Sequence, residues 1–173
     1  MLFERADRLD LVRRRRKGHE RITIGSDVVL IRDQAPLHGG NLSLPISYTF
    51  EDFVESLNRR SFFWPGTAAG PISYGYRHFE RYRNEAPVIL RLTLDSLLLA
   101  NPSTQPLFCR YNSGSPRCSN GVRSPRGPDT FLLAADFNRT PSEVVEVTFD
   151  SEITLPAVTE VGSRPSGPWR CLA

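Results

Sequence analysis

Residues 49–66, TFEDFVESLNRRSFFWPG, contain the pattern that decides the fold class. Thr49 can cap a helix whose first turn is acidic and whose apolar residues share one face. The aromatic run 62–64 then indicates a short strand, and Pro65 ends it because proline cannot donate to a strand ladder. A helix followed directly by a strand, without regular βαβ spacing elsewhere, favours the α+β class.

Working outward, the same kind of pattern predicts the other elements. We expect one compact domain over residues 1–162, with mixed or antiparallel sheets of about six short strands, two to three helices, and a flexible tail over 163–173. The predicted segments are a helix over 2–17, extended chain over 21–37, a helix over 70–84, a buried strand and helical turn over 87–99, a strand over 106–112, a loop over 113–129 and a strand over 143–149.

Composition excludes several classes of protein. The chain has 173 residues, of which 39% are hydrophobic and 24% charged, as in globular proteins. No apolar run approaches the roughly 18 residues of a membrane helix, and the N-terminus lacks the pattern of a secretory signal, so we expect a cytoplasmic protein with no membrane partner. Three cysteines without paired spacing or a nearby histidine indicate neither a disulfide framework nor a metal site.

The basic residues favour a phosphate-bearing partner without establishing one. The net charge is +3, and Lys17 is the single lysine among 22 basic residues. Arginine grips phosphate well because its planar fork makes two parallel hydrogen bonds. Glycine-rich nucleotide loops, nucleophile elbows and HExxH zinc motifs are all missing from the sequence, so spacing alone identifies no reaction.

Four stretches in one order carry a resemblance to a family. They are VVLIRDQAPL (28–37), SLNRRSFFWP (56–65), RYNSGSPR followed by RGPDTF (110–131), and VVEVTFD (144–150). Over residues 26–162 the chain resembles the DUF7002 family, which has an RDQ-x-P segment, an LN-x-x-x-FFW segment, an N-[TS]-G-S segment with R-G-x-x-TF, and a late V-[VE]-E strand.

That family is distantly similar to the DarT-like ADP-ribosyltransferases, toxins that modify DNA. The similarity implies an ADP-ribosyltransferase-like fold, NAD as a substrate, a nucleic acid or protein as acceptor, and a toxin–antitoxin or phage-defence setting with a cognate antitoxin. Such enzymes begin with a strand whose His or Arg binds the nicotinamide ribose, and no residue here matches it. We therefore expect either an upstream translation start or a loss of NAD binding.

Glu146 is the candidate catalytic residue. Cleavage of NAD spreads positive charge over the ribose, and a carboxylate on a rigid strand can stabilise that charge or deprotonate the nucleophile. We expect Val145 and Val147 to face the core and Glu146 to lie on the opposite face, as the late-strand glutamate of the resemblance would. The alternative is a solvent-facing glutamate on an edge strand.

Candidate cofactor contacts come from the first two segments. Arg32 at the end of a strand suits a pyrophosphate, or else pairs with a carboxylate such as Asp33. Gln34 would orient NAD or a base, or else serve a turn. Phe63 or Trp64 would stack on a nicotinamide or a nucleobase, or else fill the core. Asn58 joins this set, with capping as its alternative.

The third segment supplies the remaining candidates. Asn112 and Ser113 offer small polar groups around a ligand. Arg117, Arg123 and Arg126 would meet substrate phosphates, or else belong to a solvated flexible loop. The run RRRRK (13–17) is interpreted as a solvated helix end, with phosphate contact as the alternative.

Two other functions stay open on these residues. The first is a non-catalytic module of the same fold that binds a nucleotide or nucleic acid, which the arginine-rich loop favours. The second is a structural partner for another protein, which only the exposed aromatic residues suggest.

Overall fold

The contacts of the chain divide it into two compact units. The computed structural model describes residues 2–150 and 152–172. The N-terminal unit comprises residues 2–60 and 111–131, and the C-terminal unit comprises the other described residues, from 61 to 110 and from 132 onward. The expectation of one domain over 1–162 stays a prediction.

Helices and strands occur together in the α+β manner that the sequence predicts. The described residues form four helices, where two to three were expected, and two of the four are short. The helices are α1 (Leu2–Arg5), α2 (Phe50–Asn58), α3 (Ser73–Tyr82) and α4 (Leu94–Ala100).

The strands are more numerous than the six expected because many are only two residues long. Over the described residues there are thirteen: β1 (Glu20–Ile24), β2 (Asp27–Ile31), β3 (Leu42–Ser43), β4 (Arg60–Phe63), β5 (Gly66–Thr67), β6 (Gly70–Pro71), β7 (Ile89–Arg91), β8 (Leu107–Cys109), β9 (Ser124–Pro125), β10 (Leu132–Leu133), β11 (Glu146–Asp150), β12 (Glu160–Gly162) and β13 (Arg170–Cys171).

The predicted helix over 2–17 is wrong beyond its first turn. Helix α1 ends at Arg5, Asp7 adopts a positive φ of 51°, and only a 3-10 turn at Leu9–Leu11 follows. A left-handed residue interrupts the i to i−4 hydrogen bonds of an α-helix. The basic run 13–17 is consequently not a helix end.

Strands β1 and β2 form an antiparallel hairpin, where the sequence indicated one extended stretch. The turn is made at Gly25, whose φ of 62° suits a residue without a Cβ. Ile22 of β1 packs in a buried cluster with Phe3, Leu11 and Val12. This cluster is the core of the hairpin side of the N-terminal unit.

Helix α2 confirms the prediction from residues 49–66. The Thr49 hydroxyl accepts a hydrogen bond from the Asp52 N–H (3.1 Å), and the Asp52 carboxylate accepts one from the Thr49 N–H (2.8 Å). These bonds satisfy two otherwise unpaired donors and start the helix. Its buried face carries Phe53, Val54 and Leu57. Elsewhere in this unit, β3 pairs in parallel with β9.

The C-terminal unit contains a four-stranded sheet in the order β10–β8–β11–β4. Strand β11 lies between β8 and β4, and it pairs antiparallel with β8 through Glu146 and Cys109, Val147 and Phe108, and Thr148 and Leu107. The predicted late strand is confirmed as an element, although it begins at Glu146 because a 3-10 turn occupies Pro141–Glu143.

A second sheet of this unit has the order β13–β12–β7. Strand β13 comes from the segment expected to be a flexible tail, and it pairs antiparallel with β12. Helix α3 starts three residues later than predicted because Gly70 and Pro71 pair with β5. Within the described chain, no helix has both the length and the apolar character needed to cross a membrane.

Candidate functional site

A partly buried polar cluster lies in the N-terminal unit, and it contains two of the predicted cofactor-binding residues. The Arg16 guanidinium donates to Asn58 Oδ1 (2.8 Å), and Gln34 Nε2 donates to the same oxygen (3.1 Å). The Asn58 amide nitrogen donates to the carbonyls of Leu11 (3.0 Å) and Val12 (2.9 Å). We call these three side chains the Arg16 cluster.

The Arg16 cluster also ties the RDQ segment to the N-terminal basic run. The Gln34 N–H donates to the Arg16 carbonyl (2.8 Å), and the Arg16 N–H donates to Gln34 Oε1 (3.1 Å). Arg16 Nε donates to the Arg32 carbonyl (3.0 Å). Only 8% of Arg16 is exposed, and this burial lowers the pKa of its guanidinium. Gln34 and Asn58 therefore have structural partners. Gln34 also begins a turn, because its carbonyl accepts a hydrogen bond from the Leu37 N–H (2.9 Å), and this confirms its predicted alternative. The side-chain bonds of Asn58 go to residues outside α2, so it does not cap that helix.

The run RRRRK is anchored in the fold and is not solely a solvated surface. Arg15 donates to the carbonyls of Gln34 (3.2 Å) and Ala35 (2.7 Å), and Arg13 pairs with the carboxylate of Asp52 on α2. Sequence reasoning missed Arg16 because a run of four identical residues does not show which member is buried.

Near Arg32, the carboxylate of Asp33 has partners of its own. It accepts from the Ala35 N–H (2.7 Å) and lies 3.4 Å from His19 Nδ1. Arg32 itself is half-buried at the end of β2. Arg32 and Gln34 both follow β2, and Gln34 begins the turn that the Leu37 N–H closes.

The loop over 111–131 is partly built into the N-terminal unit. Arg126 is 4% exposed; it donates to the carbonyls of Pro125 (2.7 Å) and Asn112 (3.2 Å) and lies 4.0 Å over the Tyr111 ring. Ser113 is also buried. Arg126 therefore supports the loop that carries Asn112 and Ser113.

The other two loop arginines differ from Arg126. Arg117 and Arg123 are exposed. They are the members of the predicted phosphate-binding set that present their side chains to solvent.

Glu146 of the C-terminal unit is buried, with 4% of its surface exposed, on a strand with neighbours on both sides. The alternative of a solvent-facing glutamate on an edge strand is therefore wrong. Its neighbour at i+2, Thr148, is completely buried, and so is Cys109, the β8 residue opposite Glu146. Val145 and Val147, expected to face the core, are only half-buried.

The aromatic strand β4 lies next to β11 in this sheet, and its alternation identifies which ring shares a face with Glu146. Phe63 meets Phe149 edge-on, with ring centroids 6.0 Å apart, so these two residues share a face. Because side chains alternate along a strand, Phe62 lies on the other face, with Glu146 and Thr148. Phe62 is 41% exposed. The sequence pointed to its two neighbours instead.

Trp64 follows the end of β4 and packs on helix α3. Its ring stacks with Tyr74 at 6.5 Å and an angle of 11°, and it lies 5.7 Å from the His78 ring. Phe63 and Trp64 are thus used in packing within the C-terminal unit, which favours the core alternative for both rings.

An open groove of about 940 Å³ in the C-terminal unit was not foreseen from the sequence. One wall is the C-terminal part of α3 and the chain that follows it. The other wall is the segment from β12 to β13. Its polar lining includes Glu80, Arg83, Arg164 and Arg170, and its aromatic lining includes Trp169. None of the candidate site residues predicted from the sequence lines it. Sequence reasoning missed this region because the Pro-, Gly- and Ser-rich composition of 162–173 indicated a flexible tail.

No group of three or more His, Cys, Asp or Glu side chains among residues 2–150 and 152–172 is arranged to hold a metal ion. The structure places the candidate residues in three sets. Arg32, Gln34 and Asn58 lie in the N-terminal unit around Arg16. The loop of that unit carries Asn112, Ser113, Arg117, Arg123 and Arg126. Glu146, Phe63 and Trp64 lie in the C-terminal unit.

Comparison with known proteins identifies a family and no named relative. The model of a family of unknown function, DUF7002, matches residues 1–158. The match covers most of the chain, so the protein belongs to this family. No curated protein and no solved structure matches the chain.

Proposed function

We propose that this member of the DUF7002 family is an ADP-ribosyltransferase-like enzyme that uses NAD as a substrate and Glu146 as its catalytic carboxylate. The acceptor would be a nucleic acid or a protein, in a toxin–antitoxin or phage-defence setting. The observation that carries the proposal is the position of Glu146, buried on an inner strand beside the aromatic strand β4.

The burial of Glu146 supports a functional role for its carboxylate. Removing a carboxylate from water is costly unless its surroundings compensate, and such groups are concentrated at sites of chemistry. An exposed glutamate could be replaced freely, whereas a glutamate between Cys109 and the adjacent strand requires a specific environment. A fixed side chain can also be aimed at a reacting atom without reorganisation.

The reaction that we assign to this carboxylate is a substitution at the ribose carbon of NAD. The bond between that carbon and the nicotinamide nitrogen breaks, and nicotinamide leaves with the electron pair. The acceptor's nucleophile forms the new bond to the same carbon, and its proton passes to Glu146. Before proton transfer, the negative carboxylate stabilises the positive charge of the oxocarbenium-like ribose.

Phe62 replaces Phe63 and Trp64 as the aromatic residue that we assign to substrate stacking. It shares the face of Glu146, and 41% of it is exposed. A planar nicotinamide or base can stack on such a ring.

Nicotinamide release from NAD by the purified chain tests the proposal. We expect Glu146→Gln to lower the rate by about 100-fold or more, the scale of losing a general acid–base group. Glu143→Gln is the matched control, because it makes the same chemical change at an exposed residue on the 3-10 turn just before β11. Equal release by the wild type and Glu146→Gln, with unchanged melting temperatures, would remove Glu146 from the mechanism.

A non-catalytic module that binds a nucleotide or nucleic acid is the second candidate function. The Arg16 cluster favours it, since Gln34 and Asn58, two predicted NAD contacts, are bonded to other protein groups. In that case the chain would bind oligonucleotides in a salt-dependent manner and release no nicotinamide from NAD.

A further inference from the structure

Trp169 is fixed in place at the groove of the C-terminal unit. The Arg91 guanidinium lies over its ring, 4.4 Å from the centroid. Arg91 is itself held by two hydrogen bonds to Glu160, at 2.7 and 3.0 Å, across the pair of strands β7 and β12. A cation held over an aromatic face stabilises the ring, and the fork geometry fixes the orientation of the guanidinium.

Two glycines make the space that the indole occupies. A Cβ on Gly162 would lie 3.0 Å from Cε3 of Trp169 and 3.0 Å from the Pro168 carbonyl. A Cβ on Gly167 would lie 2.9 Å from Cδ1 of the same ring. The backbone at these two glycines therefore approaches the indole more closely than a residue with a Cβ would allow. The ring is half-buried and forms part of the groove lining.

The charged groups of the groove leave an excess of positive charge. Arg83 pairs with Glu80 at 2.9 Å on the surface of α3 and the turn that follows it. Arg164 and Arg170 are both exposed, and no carboxylate among the described residues forms an ion pair with either. An anionic group in the groove would meet these two arginines, while the lining carboxylate of Glu80 is paired with Arg83.

The rest of the lining suits a flat, partly apolar ligand. Phe79 and Val88 contribute apolar surface beside Trp169. A volume of about 940 Å³ lies at the upper end of the range of pockets for small molecules, roughly 300–1,000 Å³. The groove is thus large enough for a base, a sugar and a phosphate.

We propose that this groove binds a nucleotidyl group, with its base stacked on Trp169 and its phosphate on Arg164 and Arg170. Stacking on an aromatic ring accepts any base, and arginine recognises phosphate, so the lining specifies this chemistry without specifying sequence. The group can belong to a free mononucleotide or to a single-stranded nucleic acid. The site is separate from Glu146 in its residues and does not depend on NAD cleavage.

The test measures binding to the full-length chain in the absence of NAD. Adenosine monophosphate and a labelled oligothymidylate are the two probes, and poly-glutamate is the anionic comparison. We expect at least one nucleotide probe to bind and to quench tryptophan emission in a Trp64→Phe background, where Trp169 is the remaining tryptophan. Binding by the mononucleotide would identify the free ligand as a source; binding by the oligomer alone would identify the nucleic acid.

Variants then locate the binding site. Trp169→Ala is expected to weaken binding by about 5- to 150-fold, and Trp169→Phe, which keeps a ring, by much less. Arg164→Gln with Arg170→Gln should reduce the salt slope of oligomer binding by about 1.4. Arg21→Gln with Arg139→Gln removes the same charge from exposed positions elsewhere and should leave affinity within about 2-fold.

Three results would overturn the proposal. The first is no binding of either nucleotide probe, and the second is equal binding by the wild type and a folded Trp169→Ala variant. The third is poly-glutamate binding as tightly as the oligomer, which would make the groove a site for acidic peptides. A failure here leaves the nicotinamide-release test of Glu146 unaffected, because the two experiments share neither substrate nor residues.

Discussion

The Arg16 cluster and the groove of the C-terminal unit, which Trp169 lines, differ in how their arginines are used. In the cluster, the buried Arg16 bonds to Asn58 and to the Arg32 carbonyl, so its donors serve the protein itself. At the groove, Arg91 bonds to Glu160 and lies over the Trp169 ring, while the lining residues Arg164 and Arg170 are exposed to solvent.

The difference separates residues that build the fold from residues available to a ligand. Buried polar groups require partners inside the protein because an unsatisfied group there is costly. Exposed arginines beside a fixed aromatic ring carry no such requirement, and their partner can be a ligand. Three experiments test this division, beginning with the cluster.

Asn58→Ala should produce the largest loss of stability. It removes the acceptor of Arg16 and Gln34 and the donor to two buried carbonyls. Since hydrogen bonds to charged groups contribute more than neutral ones, we expect the free energy of unfolding to fall by about 3 kcal/mol. Urea denaturation followed by far-UV circular dichroism measures this change.

Asn41→Ala is the control for this experiment. Asn41 is also half-buried in the N-terminal unit, and its side-chain amide donates to the Pro116 carbonyl (3.1 Å). We expect it to cost about 1 kcal/mol. If the two variants are equally stable, the cluster is not a structural centre, and the cofactor role of Asn58 regains support.

The elements of the cluster could be predicted from the sequence, but its connectivity could not. The capping pattern at Thr49 and the aromatic run before Pro65 are local signals, and both elements formed where expected. The bond between Arg16 and Asn58 joins residues 42 positions apart. Nothing local distinguishes Arg16 from Arg13, Arg14 and Arg15, and the positive φ of Asp7 that ends α1 has no strong sequence signature.

Gly162→Ala should have the next largest effect, now at the groove. The added methyl group would lie 3.0 Å from both the Trp169 ring and the Pro168 carbonyl, so the indole or the backbone must move. Overpacking of this kind typically costs about 1–3 kcal/mol. We expect a lower melting temperature and a red-shifted emission of Trp169 in a Trp64→Phe background.

Gly18→Ala provides the comparison for Gly162, because a Cβ at Gly18 would meet no atom within 4 Å. It should leave both the melting temperature and the emission unchanged. An unshifted Trp169 emission in Gly162→Ala would mean that the indole is not held by this contact.

The candidate site was less predictable than the fold. The resemblance identifies Glu146 as the glutamate of a late strand, and alternation predicts a core at Val145 and Val147. In the structure Glu146 and Thr148 are buried on one face of the strand and Phe149 on the other, whereas Val147 is only half-buried. Burial on both faces of a strand cannot be read from one alternating pattern. The groove was missed because proline, glycine and serine are as common in tight turns as in disordered tails.

The smallest expected effect is the pH dependence of the Trp169 environment. Hydrogen bonding and charge attraction from Arg91 lower the pKa of Glu160 below its usual value of 4.5. A carboxyl whose pKa is lowered on folding stabilises the fold above its usual pKa, and this contribution is lost as the pH falls through the lowered value. Trp169 emission in a Trp64→Phe background should therefore stay constant at neutral pH and change only below about pH 4.5, as Glu160 releases Arg91.

Glu160→Gln should abolish that acid transition, whereas Glu143→Gln should retain it. Glu143 is the matched control because an arginine, Arg139, also lowers the pKa of its carboxyl, but the arginine over the Trp169 ring is Arg91 and not Arg139. An acid transition that survives in Glu160→Gln would show that a group other than Glu160 causes it. A neutral-pH emission that this substitution leaves unchanged would show that Arg91 stays on the indole without its carboxylate partner. The ring would then be positioned mainly by Gly162 and Gly167, and the fixed platform that distinguishes the groove from the Arg16 cluster would depend on backbone shape and not on charge.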